Sequence, residues 1–285
     1  AVLEDVPDED CDVWRRLSRN KAAMVGLFSI LALTLASIIA PVLTPYDPLK
    51  PDFTALRESF SWKHPLGTDM AGRDMLSRVL YGGRMSLAVG VTSQVAIMLV
   101  GIIIGAVSGY YGKLVDTLIM RFTDLMFAFP TGMLQIILMI AFGRGFPQMI
   151  LAMTITSWVN VARLVRGEVL GLKQREFIEA ARSVGARDRD IIWRHLFPNL
   201  VGPMVVWFSL GIPGAIMAEA GLSYLGIGLV PPTPSWGIMM NQGNEMWRSL
   251  PHMIIVPAAV IAVVMISFTM LGDGLRDALD PHMGR

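Results

Sequence analysis

Residues 168–199 read EVLGLKQREFIEAARSVGARDRDIIWRHLFPN. This polar segment lies between two long apolar segments, whereas most other apolar blocks of the chain are nearly free of charge. A charged helical element between two apolar spans is expected at a membrane surface, where a soluble partner can reach it. The polar segment therefore predicts a protein that works together with a soluble subunit.

The composition predicts a membrane protein. The chain has 285 residues, of which 53% are hydrophobic and 16% are charged, and its mean hydropathy is +0.53. Soluble domains contain about 25% charged residues. A net charge of +1 gives no indication of nucleic-acid binding, and the single cysteine, Cys11, excludes an internal disulfide. The first apolar block is too long for a cleavable signal peptide and is interpreted as a first spanning helix.

Six apolar blocks approach the roughly 20 residues needed to cross a bilayer. They predict an all-α polytopic membrane protein with six transmembrane helices, at residues 22–43, 85–109, 118–142, 147–164, 200–222 and 253–271. The remaining segments are an N-terminal tail, 1–21, a long loop, 44–84, and a C-terminal tail, 273–285. The polar segment 168–199 then interrupts a core of five spans, 85–272.

The distribution of Lys and Arg predicts the orientation. Most of the 24 Lys and Arg residues lie in the two terminal tails and in the loops that are on the same side of the membrane as the tails. Cytoplasmic loops are enriched in Lys and Arg. We therefore expect both termini and the polar segment to be cytoplasmic, and the loop 44–84 to be extracytoplasmic.

Small residues and prolines within the spans suggest details of packing. Gly101, Gly105 and Gly109 recur at four-residue spacing, which allows two helices to approach closely. A generally glycine-rich membrane sequence is the alternative. Prolines in or beside spans three and five predict kinks, at Pro130, Pro203 and Pro213.

No site for ATP, metal or covalent catalysis is found in the sequence. Around Gly112 and Lys113, Val107 and Leu114 break the pattern of a phosphate-binding loop. The four histidines lack ligand spacing, so no metal site is expected. Glu219 is the only carboxylate well inside a span, and it either lines a substrate pathway or hydrogen-bonds near the outer mouth. The energy for transport is therefore expected to come from another subunit.

The polar segment has the pattern of two short helices joined at a glycine. One apolar stripe at i, i+3, i+4 and i+7 contains Phe177, Ala180, Ala181 and Val184. Gly185 is suited to a left-handed cap, Asp188 to the N-cap of a second helix, and Pro198 to the end of that helix. A solvated hairpin without a partner is the alternative to a docking element.

The same segment resembles the EAA signature of ABC-importer permeases, E-A-A-x3-G-x9-I-x-L-P. The matching residues are Glu179, Ala180, Ala181, Gly185 and Pro198. His195 and Phe197 depart from the pattern, at its isoleucine and leucine positions. The R-H-x-x-P-N ending at 194–199 is similar to the dipeptide, oligopeptide and nickel branch of these permeases.

Other segments resemble the C-type permease subunit of that branch. They are residues 64–69, 72–78, 81–84, 231–237 and 272–281. The resemblance implies the type I ABC importer permease fold in a bacterial inner membrane. It also implies a sister permease, two ATP-binding subunits that hold ATP and Mg, and an extracytoplasmic binding protein. No cofactor is expected on this chain.

The resemblance further implies that the five EAA residues contact the ATPase subunits. Dipeptides, oligopeptides, glutathione and nickel complexes all remain open as substrates. A secondary transporter and a membrane assembly subunit that carries no substrate are the alternative functions.

The end of the long loop is predicted to form an interfacial helix. Its apolar face contains Met75, Leu76, Val79 and Leu80, and its polar face contains Arg73, Asp74, Ser77 and Arg78. Asp74 and Arg78 are expected to pair at i, i+4. The loop is either a docking surface for the binding protein or a scaffold.

Overall fold

The computed structural model describes residues 9–279, in which every regular element is helical. The first eight residues and residues 280–285, including the end of the predicted C-terminal signature, lie outside the described residues. The helices are α1 (Glu9–Arg19), α2 (Lys21–Ile38), α3 (Ala40–Leu43), α4 (Met75–Tyr111), α5 (Lys113–Phe127), α6 (Thr131–Phe142), α7 (Phe146–Leu172), α8 (Glu176–Ser183), α9 (Asp188–Ile191), a π-helix (Ile192–Leu196), α10 (Phe197–Tyr224), α11 (Trp236–Asn244) and α12 (His252–Leu279).

The described residues hold five helices that are long and apolar enough to cross a membrane, or six if the bent pair α5 and α6 is one span. The all-α prediction is confirmed. The predicted third span, 118–142, is not one continuous helix, because α5 and α6 meet at 87°. The chain breaks just before Pro130, which disfavours helical geometry in the preceding residue and has no backbone N–H. By contrast, α10 runs unbroken through Pro203 and Pro213.

A glycine seam joins α4 to α7. A Cβ atom on Gly105 would lie 2.4 Å from the Ala162 carbonyl oxygen, and one on Gly101 would lie 2.5 Å from the Val161 Cβ. Gly109 would similarly meet Val169 at 2.9 Å. Real Cβ atoms do not approach this closely, so only glycine allows the two backbones to lie together. The prediction of close helix approach is confirmed.

The predicted interfacial helix is wrong, because residues 75–84 are the first turns of α4 itself. Asp74 does not pair with Arg78. Its carboxylate caps α4 by accepting from the Ser77 backbone N–H at 2.7 Å, and it also binds His64 Nδ1 at 2.9 Å. Arg78 is fully buried and pairs instead with Asp69 at 2.7 Å. The supposed polar face is therefore an internal cluster that fixes residues 44–74, here called the extension, on the end of α4.

Candidate functional site

The hairpin, residues 173–196, lies at the other end of α4 and α7 from the extension. It consists of α8, α9 and the π-helix with their connecting turns. Gly185 ends α8 with a φ of +81°, and the Ala186 N–H donates to the Ala181 carbonyl at 3.0 Å. This is the left-handed cap predicted for Gly185, and a residue with a Cβ is strained there.

The second half of the hairpin differs from the prediction. The N-cap of α9 is Arg187, whereas Asp188 is the first helical residue and its carboxylate binds the Tyr110 hydroxyl. Pro198 does not stop the helix, because α10 begins at Phe197 and continues through Pro198 to Tyr224. The helical path from Asp188 to Tyr224 is continuous. The second half of the hairpin is therefore joined to α10 without an intervening loop.

The predicted apolar stripe of α8 faces outward. Ile178 is fully buried and holds α8 against the bundle, together with Ile191. In contrast, Val184 is 86% exposed and Phe177 is 41% exposed. Val184 is therefore largely uncovered within the part of the chain that the structure describes, whereas Phe177 is partly covered and its ring lies 6.3 Å from the His195 ring. Large apolar groups left in the open on a charged hairpin are typical of a surface that another protein covers.

The predicted coupling residues lie on or beside this open surface. Glu179, Ala180, Gly185 and Pro198 are exposed, and Ala181 is half-buried. Their exposure leaves them available to a partner. Within the described residues, no other part of the chain covers these five residues together.

Glu219 lies inside the bundle and apart from the hairpin. It is fully buried on α10, where the Ser86 hydroxyl donates to one carboxylate oxygen at 2.9 Å and the Ser223 hydroxyl donates to the other at 2.8 Å. The Ser86 hydroxyl in turn accepts from the Trp236 backbone N–H at 3.2 Å. One oxygen thus links α10 to α4, and through Ser86 to α11, while the other is used within α10. Both oxygens have partners, which favours the hydrogen-bonding interpretation over the pathway.

Sequence reasoning missed the polar contacts beneath the hairpin. The Tyr110 hydroxyl donates to Asp188 at 2.5 Å, and Lys173 Nζ donates to the Tyr110 carbonyl at 2.5 Å. Beside them, Arg166 donates two hydrogen bonds to Asp116, at 2.5 and 2.6 Å, linking α7 to α5. The partners are far apart in sequence, so no local spacing could have revealed them.

Two stretches of the chain match known families. Residues 101–285 match the family described as "Binding-protein-dependent transport system inner membrane component". The chain belongs to this family. Residues 12–60 also match the "N-terminal TM domain of oligopeptide transport permease C". The protein is therefore a multi-pass permease subunit of an ABC importer, as the EAA resemblance implies.

Similar proteins cover nearly the whole permease. It is 41% identical over 280 residues to the dipeptide transport system permease protein DppC of Bacillus subtilis (strain 168), covering 96% of this chain and 86% of that protein. It is 43% identical over 274 residues to the glutathione transport system permease protein GsiD of Pectobacterium atrosepticum, covering 95% of this chain and 91% of that protein.

A solved structure shares the fold of the permease. It is an inward-facing conformation of the MetNI methionine ABC transporter, with a TM-score of 0.58 and 15% sequence identity. The match covers 72% of this chain and 98% of that chain. At this identity the likeness concerns the fold alone, and it agrees with the predicted type I importer permease fold.

Proposed function

We propose that this permease is the C-type subunit of an ATP-driven importer for small peptides. Relatives named for dipeptide and oligopeptide transport are 41% and 38% identical to it, and those named for glutathione transport reach 43%. Glutathione is itself a small peptide, so the shared chemistry is a short, charged, peptide-bonded solute. The solute crosses by alternating access at the interface with a sister permease.

The observation that supports ATP coupling most directly is the open apolar surface of the hairpin. Val184 is largely exposed and Phe177 partly exposed beside Glu179, Ala180 and Gly185. We assign this surface to one of the two ATP-hydrolysing partner subunits of the complex, which bind ATP and Mg themselves. Ala181 and Pro198 complete the contact with the ATPase. In that arrangement this chain needs no cofactor of its own.

The proposed orientation places the hairpin and both termini in the cytoplasm. Ser183 on the hairpin and Ser59 on the extension are both exposed, so each tolerates a cysteine. In a Cys11→Ser background, a membrane-impermeant maleimide added to intact spheroplasts should label Ser59→Cys and not Ser183→Cys. The opposite pattern would reverse the orientation.

The extension is proposed to face the binding protein. Three large aromatic side chains project from it with more than half of their surface exposed, namely Phe53, Phe60 and Trp62. Replacing Trp62 with Ala should weaken binding-protein affinity without unfolding the permease, because the side chain is fully exposed. Unchanged affinity for single and combined replacements would leave the extension as a scaffold.

Reconstitution of the whole complex tests the function. The permease should be co-purified with its sister permease and ATPase subunits, placed in liposomes, and supplied with binding protein and a labelled dipeptide or glutathione. Uptake that requires ATP, with hydrolysis stimulated by the loaded binding protein, is the expected result. Uptake driven by an ion gradient without ATP would indicate a secondary transporter, and absence of any uptake would indicate an assembly subunit.

A further inference from the structure

Besides the packing of Ile178 and Ile191 into the core, the hairpin is attached to the bundle at three places, two of which are covalent. At one end a short turn, residues 173–175, joins α7 to α8. At the other end α9 continues through the π-helix into α10. The third attachment is to the end of α4, through Tyr110.

Tyr110 makes two hydrogen bonds to the hairpin, one through its hydroxyl and one through its carbonyl. Its hydroxyl donates to the Asp188 carboxylate in the second half of the hairpin. Its carbonyl accepts from Lys173 in the turn that opens the hairpin. The ring itself is buried in the core cluster that also contains Ile178 and Ile191. Tyr110 thus fixes both halves of the hairpin against a single point.

Tyr110 lies on α4, which is held firmly against α7. The glycine seam holds α4 against α7 at backbone contact, so Tyr110 and the end of α7 cannot move independently. Without the Tyr110 attachment, the hairpin would be held by its two chain connections and by the packing of Ile178 and Ile191, and Asp188 could shift relative to α4. With Asp188 bound to Tyr110, such a shift requires a hydrogen bond to a charged acceptor to break.

We propose that Tyr110 is a positioning residue for energy coupling, and that its hydrogen bond to Asp188 fixes the hairpin to α4 so that ATPase closure moves α4, α7 and α10 together. This inference rests on the proposed function, because it needs an ATPase that acts on the hairpin. Removing the hydroxyl detaches Asp188 from α4, so that ATPase closure moves the second half of the hairpin and moves α4 and α7 less. Hydrolysis then continues while transport falls.

The test replaces single atoms in the reconstituted complex. Tyr110→Phe removes only the hydroxyl and keeps the buried ring. Because a hydrogen bond to a charged group shifts an equilibrium by about tenfold or more, solute transported per ATP hydrolysed should fall by about tenfold. All subunits should still co-purify, and the thermal midpoint of the complex should fall by no more than the few degrees that one hydrogen bond accounts for.

Three further variants separate the hydrogen bond from other effects. Tyr111→Phe is the matched control, since in the described chain the Tyr111 hydroxyl has no hydrogen-bond partner and its side chain is 54% exposed. It should couple normally. Asp188→Asn keeps an acceptor oxygen and should retain more coupling than Asp188→Ala. Adding Asp188→Ala to Tyr110→Phe should cause no further loss, because both changes break the same bond.

Several results would overturn the inference. They are normal coupling in Tyr110→Phe, loss of complex assembly in that variant, equal damage from Asp188→Asn and Asp188→Ala, or losses that multiply in the double variant. A wild-type complex without ATP-driven uptake would refute the proposed function instead. The two failures are therefore distinguishable in one set of liposomes.

Discussion

The glycine seam between α4 and α7 makes the strongest quantitative prediction, through the variant Gly105→Ala. Its new Cβ would lie 2.4 Å from the Ala162 carbonyl oxygen and 2.8 Å from the Val165 Cβ. One of these neighbours is backbone, so no rotamer change can relieve the contact. To restore an ordinary distance of 3.4 Å, α4 and α7 must separate by about 1 Å.

The expected cost follows from two opposing terms. Inserting a methyl group into a close-packed contact costs about 1–3 kcal/mol, while replacing glycine by alanine within a helix gains about 0.5–1 kcal/mol. Subtracting the midpoints of the two ranges gives a net destabilisation of about 1 kcal/mol. Each kcal/mol lowers the melting midpoint of a domain of comparable length by about 2–4 °C, so a decrease of about 2–4 °C is expected.

The measurement is a thermal melt of the detergent-solubilised permease, followed by fluorescence-detected size exclusion. The matched control is Gly167→Ala in α7, where a new Cβ meets no atom within 4 Å of the described chain. It should melt at or above the wild-type midpoint. If Gly105→Ala also melts at or above that midpoint, the seam does not depend on glycine and the argument fails.

Further variants test the cap, the buried carboxylate and the extension. Gly185→Val should preserve assembly but lower uptake per ATP in liposomes, because a Cβ at positive φ costs about 1–2 kcal/mol and distorts the hairpin. Normal coupling in this variant would mean that Gly185 has no role in coupling to the ATPase. Glu219→Gln should retain transport, whereas Glu219→Leu should melt earlier, because the hydroxyl hydrogens of Ser86 and Ser223 lose their buried acceptor at about 1–3 kcal/mol each. Loss of transport in a stably folded Gln variant would instead support a pathway role. Asp69→Leu should destabilise the permease more than Arg78→Met, because it leaves the buried Arg78 guanidinium without a carboxylate, whereas in Arg78→Met the Asp69 carboxylate still pairs with Arg73. The reverse order in a thermal melt would contradict this reasoning.

The sequence predicted those features that depend on composition and short spacing. Apolar length located the spans, because a bilayer imposes a minimum number of apolar residues. The four-residue glycine repeat predicted the seam. The hairpin was predicted from its charge and from the spacing between Glu179 and Pro198, and its turn from Gly185, since glycine is favoured where φ is positive.

The features that the sequence did not predict depend on distant partners. Residues 75–84 have an amphipathic pattern, yet their polar face is internal, because Arg78 finds Asp69 in the extension and Gln242 on α11. No local pattern distinguishes this from a surface helix. Likewise Pro130 predicted a kink, but the 87° angle depends on how α5 and α6 pack.

One helix, α4, connects the extension, the glycine seam and the hairpin. It contains 37 residues, which corresponds to about 55 Å of helix. Its first turns hold Arg78 in the cluster that fixes the extension, its last third carries the seam at Gly101, Gly105 and Gly109, and its last turn carries Tyr110. Because the seam joins this third of α4 to α7, we expect a displacement of the hairpin to move the two helices together. On this reasoning, Tyr110→Phe and Asp69→Leu affect the same helix at opposite ends, and Tyr110→Phe should lower coupling with the smaller loss of stability.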